Sequence, residues 1–190
     1  MSLLEFRQAK DADLPAVLAM LDEAAAWLDD KGIRQWPAKF SDVNDWRRAR
    51  IESYISAGHT WMASINDRVA ATFTLGEADP DYAHGWPDGP ETGLYIFRMA
   101  VTRSWSGCDL GGRILDWASV RAAEHGRQWL RLDCHRENPG IQAYYEHRGF
   151  SRVATLISTI TDGPQPGEGQ PYTRGSGALY QRPAGSIHIP

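Results

Sequence analysis

The order of hydrophobic periodicities along this chain predicts a mixed α/β domain with a parallel crossover in its second half. Three observations carry that prediction. Leu14, Val17, Leu18, Leu21 and Leu28 recur at helical spacing, whereas Leu130, Leu132 and Cys134 alternate with Trp129, Arg131 and Asp133 as in a strand. Between residues 94 and 134, a strand, a glycine-bearing turn, a helix and a second strand follow one another. With 190 residues, 42% of them hydrophobic, the chain is long enough to bury one substantial core.

The elements can be justified in order. Phe6 and Arg7 close a short first strand. Asp11 to Asp30 reads as a helix, with Asp11 as cap, Pro15 tolerated in the first turn and Gly32 as the stop. Residues Ile33 to Phe40 form a link containing Trp36 and Pro37. A second helix starts at Ser41 or Asp42 and runs to about Ala57, before Gly58. Strands Thr60 to Ile65 and Val69 to Leu75 flank a turn at Asn66 and Asp67. Gly76 to Thr92, rich in Gly, Pro and Asp, is a loop, and its length hints at function.

A strand from Leu94 to Val101 is followed by a break at Thr102 to Asp109 and a helix from Leu110 to Glu124, stopped by Gly126. Trp129 to Cys134 is the next strand. Asn138 caps a short helix with Pro139 in its favoured first position, and Gly149 ends it. Ser151 to Thr159 and Gly177 to Arg182 are the last strands, separated by a Gly/Pro loop. Residues 1–183 read as one domain and 184–190 as a loose tail.

Composition narrows the function classes. The formal net charge is -4 and the basic residues are dispersed, which disfavours nucleic acid as the main partner. No apolar run approaches the roughly 18 residues of a membrane span, and a cytoplasmic location follows by default. Cys108 and Cys134 make no disulfide framework and read as reduced thiols. The six histidines have no metal-ligand spacing, so no metal is expected. The P-loop and dinucleotide fingerprints are both absent.

Two segments carry chemistry. In the first, the turn before Leu110 feeds a helix whose first turn contains Gly111, Gly112 and Arg113. Unpaired N–H groups at such a helix start attract anions, and the glycines let a diphosphate approach. The second is Asn138-Pro139-Gly140-Ile141-Gln142-Ala143-Tyr144-Tyr145-Glu146-His147-Arg148-Gly149-Phe150. It resembles motif B of the GNAT superfamily of acetyltransferases, N-x-x-x-x-x-x-Y-[ED]-x-x-G-F, at Asn138, Tyr145, Glu146, Gly149 and Phe150. Met99-Ala100-Val101-Thr102-Arg103 looks like that family's fourth strand, Ser106 to Gly112 like its motif A loop, and Trp129 to Cys134 like its fifth strand. Gly32-Ile33-Arg34-Gln35-Trp36-Pro37 is similar to a segment found after the first helix in some bacterial members. The resemblance spans residues 4 to 182 in order. Motif A departs from [QR]-x-x-G-x-[GA]: Ser106 stands at the Arg or Gln, and Asp109 at the first Gly.

The resemblance implies a mostly antiparallel mixed sheet of about seven strands, with splayed parallel strands four and five and about four flanking helices. It also implies an enzyme that uses acetyl-CoA as cosubstrate, needs no metal and acetylates a primary amine, whose bearer the sequence leaves open between an antibiotic, a polyamine, an amino acid and a protein N-terminus, the acidic loop favouring a small cation. Gly107, Cys108, Asp109, Leu110, Gly111, Gly112 and Arg113 would hold the diphosphate through main-chain amides. The backbone of Met99, Ala100 and Val101, together with Asn138, would bind the pantetheine arm. Tyr145 would protonate the leaving thiolate, since a phenol is protonated at neutral pH.

Many family members carry a Glu general base on the fourth strand, near the position of Phe97. Glu91 is the nearest candidate here, and Asp79, Asp81, His84 and Asp88 are alternatives acting through water. An amine of low pKa would need no separate base. Trp36 is expected to wall the acceptor site, and Trp86, beside Asp79, Asp81 and Asp88, to face a cationic amine. A non-catalytic acyl-CoA-binding or regulatory domain is the rival reading, and another acyl group is a third. A homodimer stays open.

Overall fold

The computed structural model describes residues 3–33, 35–36, 39–43, 45–160 and 172–188. Along the chain these form β1 (Leu4–Gln8), α1 (Leu14–Asp30), α2 (Trp46–Ser56), β2 (Thr60–Ile65), β3 (Arg68–Gly76), β4 (Gly93–Val101), α3 (Leu110–Glu124), β5 (Trp129–His135), α4 (Pro139–His147), β6 (Ser151–Thr155), β7 (Thr159–Ile160), β8 (Tyr172–Thr173) and β9 (Ser176–Pro183). Seven strands make one mixed sheet in the order β1-β2-β3-β4-β5-β9-β6. Strands β7 and β8 form a separate antiparallel ribbon. The expected fold class is therefore found, with four α-helices among the described residues.

The chain divides into two compact units, residues 1–76 with 96–117, and residues 77–95 with 118–190. Strand β4 and helix α3 each run through both. In the first unit, β1 pairs antiparallel with β2 and β2 with β3. Its core gathers Val17, Leu18 and Leu21 of α1, Ile51 and Ile55 of α2, Met62 of β2 and Ala100 of β4, together with Phe40. Each fully buried Leu or Ile contributes about 1.5–3 kcal/mol. On its other side, Trp117 stacks on Phe6 (centroids 4.6 Å apart) and meets Trp61 edge-on at 4.8 Å.

Helix α2 starts at Trp46, four or five residues later than a start at Asp42 or Ser41. Asp45 is the true cap, its side chain accepting from the Arg47 N–H at 2.8 Å. A tertiary contact overrides the local signal. Asp22 of α1 accepts from the main-chain N–H groups of Phe40 (2.5 Å) and Ser41 (3.2 Å), which holds those residues out of a helix.

In the second unit, β5 pairs antiparallel with β9 along its whole length, and β9 pairs with β6. The parallel ladder between β4 and β5 covers Gly93↔Trp129, Leu94↔Leu130 and Tyr95↔Arg131. Gly93 is required there because a Cβ would lie 2.5 Å from Cδ of Arg131. The loop 77–92 is more ordered than its composition suggests, with 3-10 turns at Pro80–Gly85 and Pro90–Thr92. The first residues of the segment expected to be a loose tail are tied down. Ala184 N–H donates to Gln128 O and Gly185 N–H to Ser119 O, both at 2.8 Å. The Gly/Pro loop falls largely on residues outside the described set, but its end, Tyr172–Thr173, forms β8, which the sequence pattern did not reveal.

Candidate active site

The first unit holds the segment expected to bind a diphosphate. After β4, the chain turns through Gly107 (φ 81°) and Asp109 (φ 53°), both in the left-handed region. This explains the altered motif. Asp109 stands where a glycine is expected, and Asp is among the few side chains that tolerate this conformation. Helix α3 then begins with Leu110, Gly111 and Gly112, whose N–H groups precede the first intrahelical bond, from Arg113 N–H to Asp109 O at 3.2 Å. Cys108, Asp109 and Arg113 are exposed and Leu110 is buried. At an exposed position, solvent screens the Asp109 charge against a nearby anion. This loop therefore fits an anionic group held by main-chain amides.

On β4, Met99 and Val101 are half-buried and Ala100 is buried. Phe97 occupies the position where the motif would place a base, and its neighbour Arg98 has φ 47°, a left-handed residue inside a strand. Trp36 lies half-buried against the first unit's core and meets Phe40 edge-to-face at 5.4 Å. It is a packing residue in this unit first.

The second unit holds Asn138 and Tyr145. Asn138 Oδ1 caps α4 by accepting from Ile141 N–H at 3.2 Å, which leaves its amide group as a donor. Tyr145 is half-buried one turn from the end of α4. Its ring is fixed by Phe150 (5.7 Å), Tyr180 (6.5 Å) and Tyr144 (5.4 Å). Its hydroxyl has no hydrogen-bond partner among the described residues. Burial, reinforced by nearby Cys134, Tyr144 and Asp133, pushes the phenol well above the ordinary tyrosine range. It is therefore an acid that keeps its proton. Beneath it, Tyr180 donates to the Glu146 carboxylate at 2.9 Å, linking β9 to α4. Burial and that bond push the Tyr180 hydroxyl up to about 12. Cys134, also buried, is pushed up to about 12 by desolvation and is no nucleophile.

The acidic loop does not match its expected role. Trp86 is 5% exposed, and its face is taken by the guanidinium of Arg131 at 4.6 Å, not offered to an amine. Arg131 is fully buried and also binds Asp88, Gly89 O (2.7 Å), the Tyr95 hydroxyl (3.1 Å) and Gln181 Oε1 (3.1 Å). Asp79 and Asp81 bind Arg174 at 3.0 and 2.6 Å, and Glu77 binds Arg127 at 2.8 Å. Asp79, Asp81 and Asp88, read as a reception surface for a cation, are satisfied by two of the chain's own arginines, Arg174 and Arg131. No signal in the sequence separated the two cases, because residues 127, 131 and 174 lie far from the loop along the chain.

Glu91 is exposed, with its carboxylate folded over Gly89. It precedes the paired N-terminal end of β4, whereas Asn138 follows the C-terminal end of β5. His84 is exposed. Among the described residues no helix is long and apolar enough to cross a membrane, and no group of three or more His, Cys, Asp or Glu side chains is placed to hold a metal.

The mixed sheet with its short parallel ladder and the capped helix carrying Asn138 and Tyr145 agree with the class of acyl-group transferases. The chain belongs to the acetyltransferase (GNAT) family, whose profile matches residues 21–150. It is 30% identical over 142 residues to the uncharacterized N-acetyltransferase YesJ of Bacillus subtilis (strain 168), a match covering 73% of this chain and 76% of that one. Among solved structures, it resembles a GNAT-family acetyltransferase from Listeria monocytogenes 4b F2365, with TM-score 0.69, 21% identity and coverage of 96% and 99%. It also resembles yncA, a putative acetyltransferase from Salmonella typhimurium solved with acetyl-CoA, with TM-score 0.58, 16% identity and coverage of 98% and 96%. These structural likenesses establish the fold.

Proposed function

We propose that this protein transfers the acetyl group of acetyl-CoA to a primary amine by direct attack, with Tyr145 as the general acid. The observation that carries the reading is the state of Tyr145: a ring packed on three sides, and a hydroxyl with no partner among the described residues and a strong hold on its proton. The Salmonella relative was solved with acetyl-CoA, and the RimL ribosomal-protein acetyltransferase, a structural neighbour at TM-score 0.60, with coenzyme A.

The amine nitrogen attacks the thioester carbonyl carbon, and the carbon–sulfur bond breaks. The departing sulfur takes the proton of the Tyr145 hydroxyl, and the proton lost from nitrogen returns to solvent or to the phenolate. A main-chain N–H within Met99 to Val101 polarises the carbonyl. The amides of Gly107 to Arg113 hold the diphosphate, and the Asn138 amide donates to the pantetheine arm. Phe97 offers no base, and Glu91 stays the nearest carboxylate candidate for one. The amine is taken up neutral, or loses its proton to water. Trp36 stays a candidate wall of the acceptor site, while Trp86 has no part in it.

The test pairs calorimetry with acetyl-CoA and a thiol-release assay on an amine panel. Tyr145→Phe should lower kcat by about 10- to 1,000-fold with little change in acetyl-CoA affinity. Full activity in that variant would place the proton elsewhere. Acetyl-CoA binding without turnover would favour a non-catalytic acyl-CoA-binding domain.

A further inference from the structure

Helix α4 carries Asn138 at its cap and Tyr145 in its last turn, yet none of its nine residues is fully buried. A helix of that length has little stability of its own, so its direction is set by what ties it to its surroundings. The ties are polar at both ends. At the C-terminal end, Arg182 Nη1 donates to Arg148 O at 3.1 Å and the Tyr180 hydroxyl to Glu146 at 2.9 Å. At the N-terminal end the tie is Gln142. Its Nε2 donates to His135 O at 3.0 Å and to Arg136 O at 2.8 Å, which uses both N–H groups of the amide. Its Oε1 lies 3.5 Å from Nη1 of Arg152 on β6. Helical side chains lean toward the N-terminus, which is how Gln142 reaches back past the cap.

The two carbonyls that receive Gln142 are themselves held. His135 is the last residue of β5, paired with Ser176, and its O also accepts from Asn138 N–H at 3.3 Å. Arg136 N–H donates to Gly175 O at 2.9 Å, and the Arg136 guanidinium donates to Ser176 O at 3.2 Å and Arg174 O at 2.9 Å. Gln142 therefore joins α4 to a strand end that is anchored on the start of β9. Only three residues, less than one helical turn, separate it from Tyr145, so any rotation of α4 moves both together.

We propose that Gln142 is a positioning residue for Tyr145: its two donated hydrogen bonds fix the rotation of α4 and with it the direction of the phenol hydroxyl. The inference rests on the acetyltransferase reading and deepens it. Contacts with Phe150, Tyr180 and Tyr144 confine the Tyr145 ring, but apolar packing is non-directional, whereas bonds to two held carbonyls are directional. Direction matters because an acid must meet the departing sulfur, and a misplacement of about 1 Å costs on the order of 100-fold in rate.

The experiment measures kcat, acetyl-CoA affinity and Tm for Gln142→Met, Gln142→Lys, Tyr145→Phe and the double variant Gln142→Met/Tyr145→Phe, with the best acceptor of the amine panel. Methionine matches glutamine in length and suits a helix but donates nothing, while lysine restores N–H donors at similar reach. Gln142→Met should lower kcat about 5- to 30-fold, with acetyl-CoA affinity held within about threefold. Gln142→Lys should recover most of that loss. In the Tyr145→Phe background, Gln142→Met should cost less than about twofold, because the group it positions is already gone. A merely structural role would give equal losses in both backgrounds, or equal losses in the Met and Lys variants. Either result overturns the inference, as does a Gln142→Met protein that is fully active or no longer folds. A slow Tyr145→Phe beside an unaffected Gln142→Met overturns the inference alone. A fully active Tyr145→Phe, or a wild type that turns over no amine, overturns the acetyltransferase reading with Tyr145 as acid and the inference with it.

Discussion

Replacing Asp88 by alanine strands a guanidinium in the interior. Arg131 has no exposed side-chain surface, and the carboxylate of Asp88 is its counter-charge. Asp88 also accepts from Trp129 Nε1 at 2.7 Å and from Thr92 Oγ1 at 3.1 Å, so one side chain ties β5 and the loop's end together. Removing one partner of a fully buried pair costs about 3–5 kcal/mol. Asp88, however, is 37% exposed, so water enters the vacated place and lowers the cost toward the surface-pair range of about 0–1 kcal/mol. The remaining Arg131 bonds to Gly89, Tyr95 and Gln181 persist. An intermediate loss of about 2–3 kcal/mol follows, equivalent to a Tm decrease of about 4–12 °C for a chain of this size.

Urea unfolding followed by tryptophan fluorescence measures it, with the loss read from the midpoint at constant slope. The pH dependence adds a second check. Burial works to raise the Asp88 carboxyl, but hydrogen bonds from Arg131 and Trp129 outweigh it and hold it below the ordinary value of 3.8. A depressed carboxyl stabilises above that value and loses its effect as pH falls below it. The gap between wild type and Asp88→Ala should therefore narrow below about pH 4. A loss under about 0.5 kcal/mol at pH 7, or a gap that widens in acid, would refute the account of Arg131 as a buried cation held by Asp88.

Asp13 receives both guanidinium nitrogens of Arg7, at 2.7 and 2.8 Å, and the Lys10 N–H at 2.8 Å, and its carboxyl is lowered to about 2. Because Arg7 is 49% exposed, the stabilisation is discounted to about 1 kcal/mol; it is complete above pH 4 and lost as pH falls through about 2, so Asp13→Asn should flatten an acid-unfolding curve across that window. Tyr180→Phe removes the bond to Glu146 and loosens the bed of Tyr145: we expect kcat to fall about 3- to 10-fold, acetyl-CoA affinity to hold, and the loss not to add fully to that of Tyr145→Phe, while additive losses would show that the two act separately. Because burial holds the Tyr145 phenol above its usual range, the pH–rate profile should show no falling limb from its ionisation at or below about pH 10. A limb near pH 9 that disappears in Tyr145→Phe would contradict that.

Much of the architecture was legible because it is written in local periods. Strand β2 and helix α3 start and stop at the residues expected, since alternation, helical spacing and glycine stops act over a few residues. The cap of α4 at Asn138 was equally readable, as was the start of α3 at Leu110. The start of α2 was not, because Asp22, eighteen positions before Phe40, decides where the chain stays extended. Nor was the loop 77–92, whose charge pattern is the same whether it waits for a ligand or is closed by Arg127, Arg131 and Arg174.

What the sequence by itself determined is the order of elements and the family, and it singled out Tyr145 as the candidate acid. Tertiary structure alone decided which charges are spent internally and which ring a guanidinium covers. The physical reason is range. Periodicity and capping act over a few residues, whereas an ion pair or a cation over an aromatic ring is made between residues that only folding brings together.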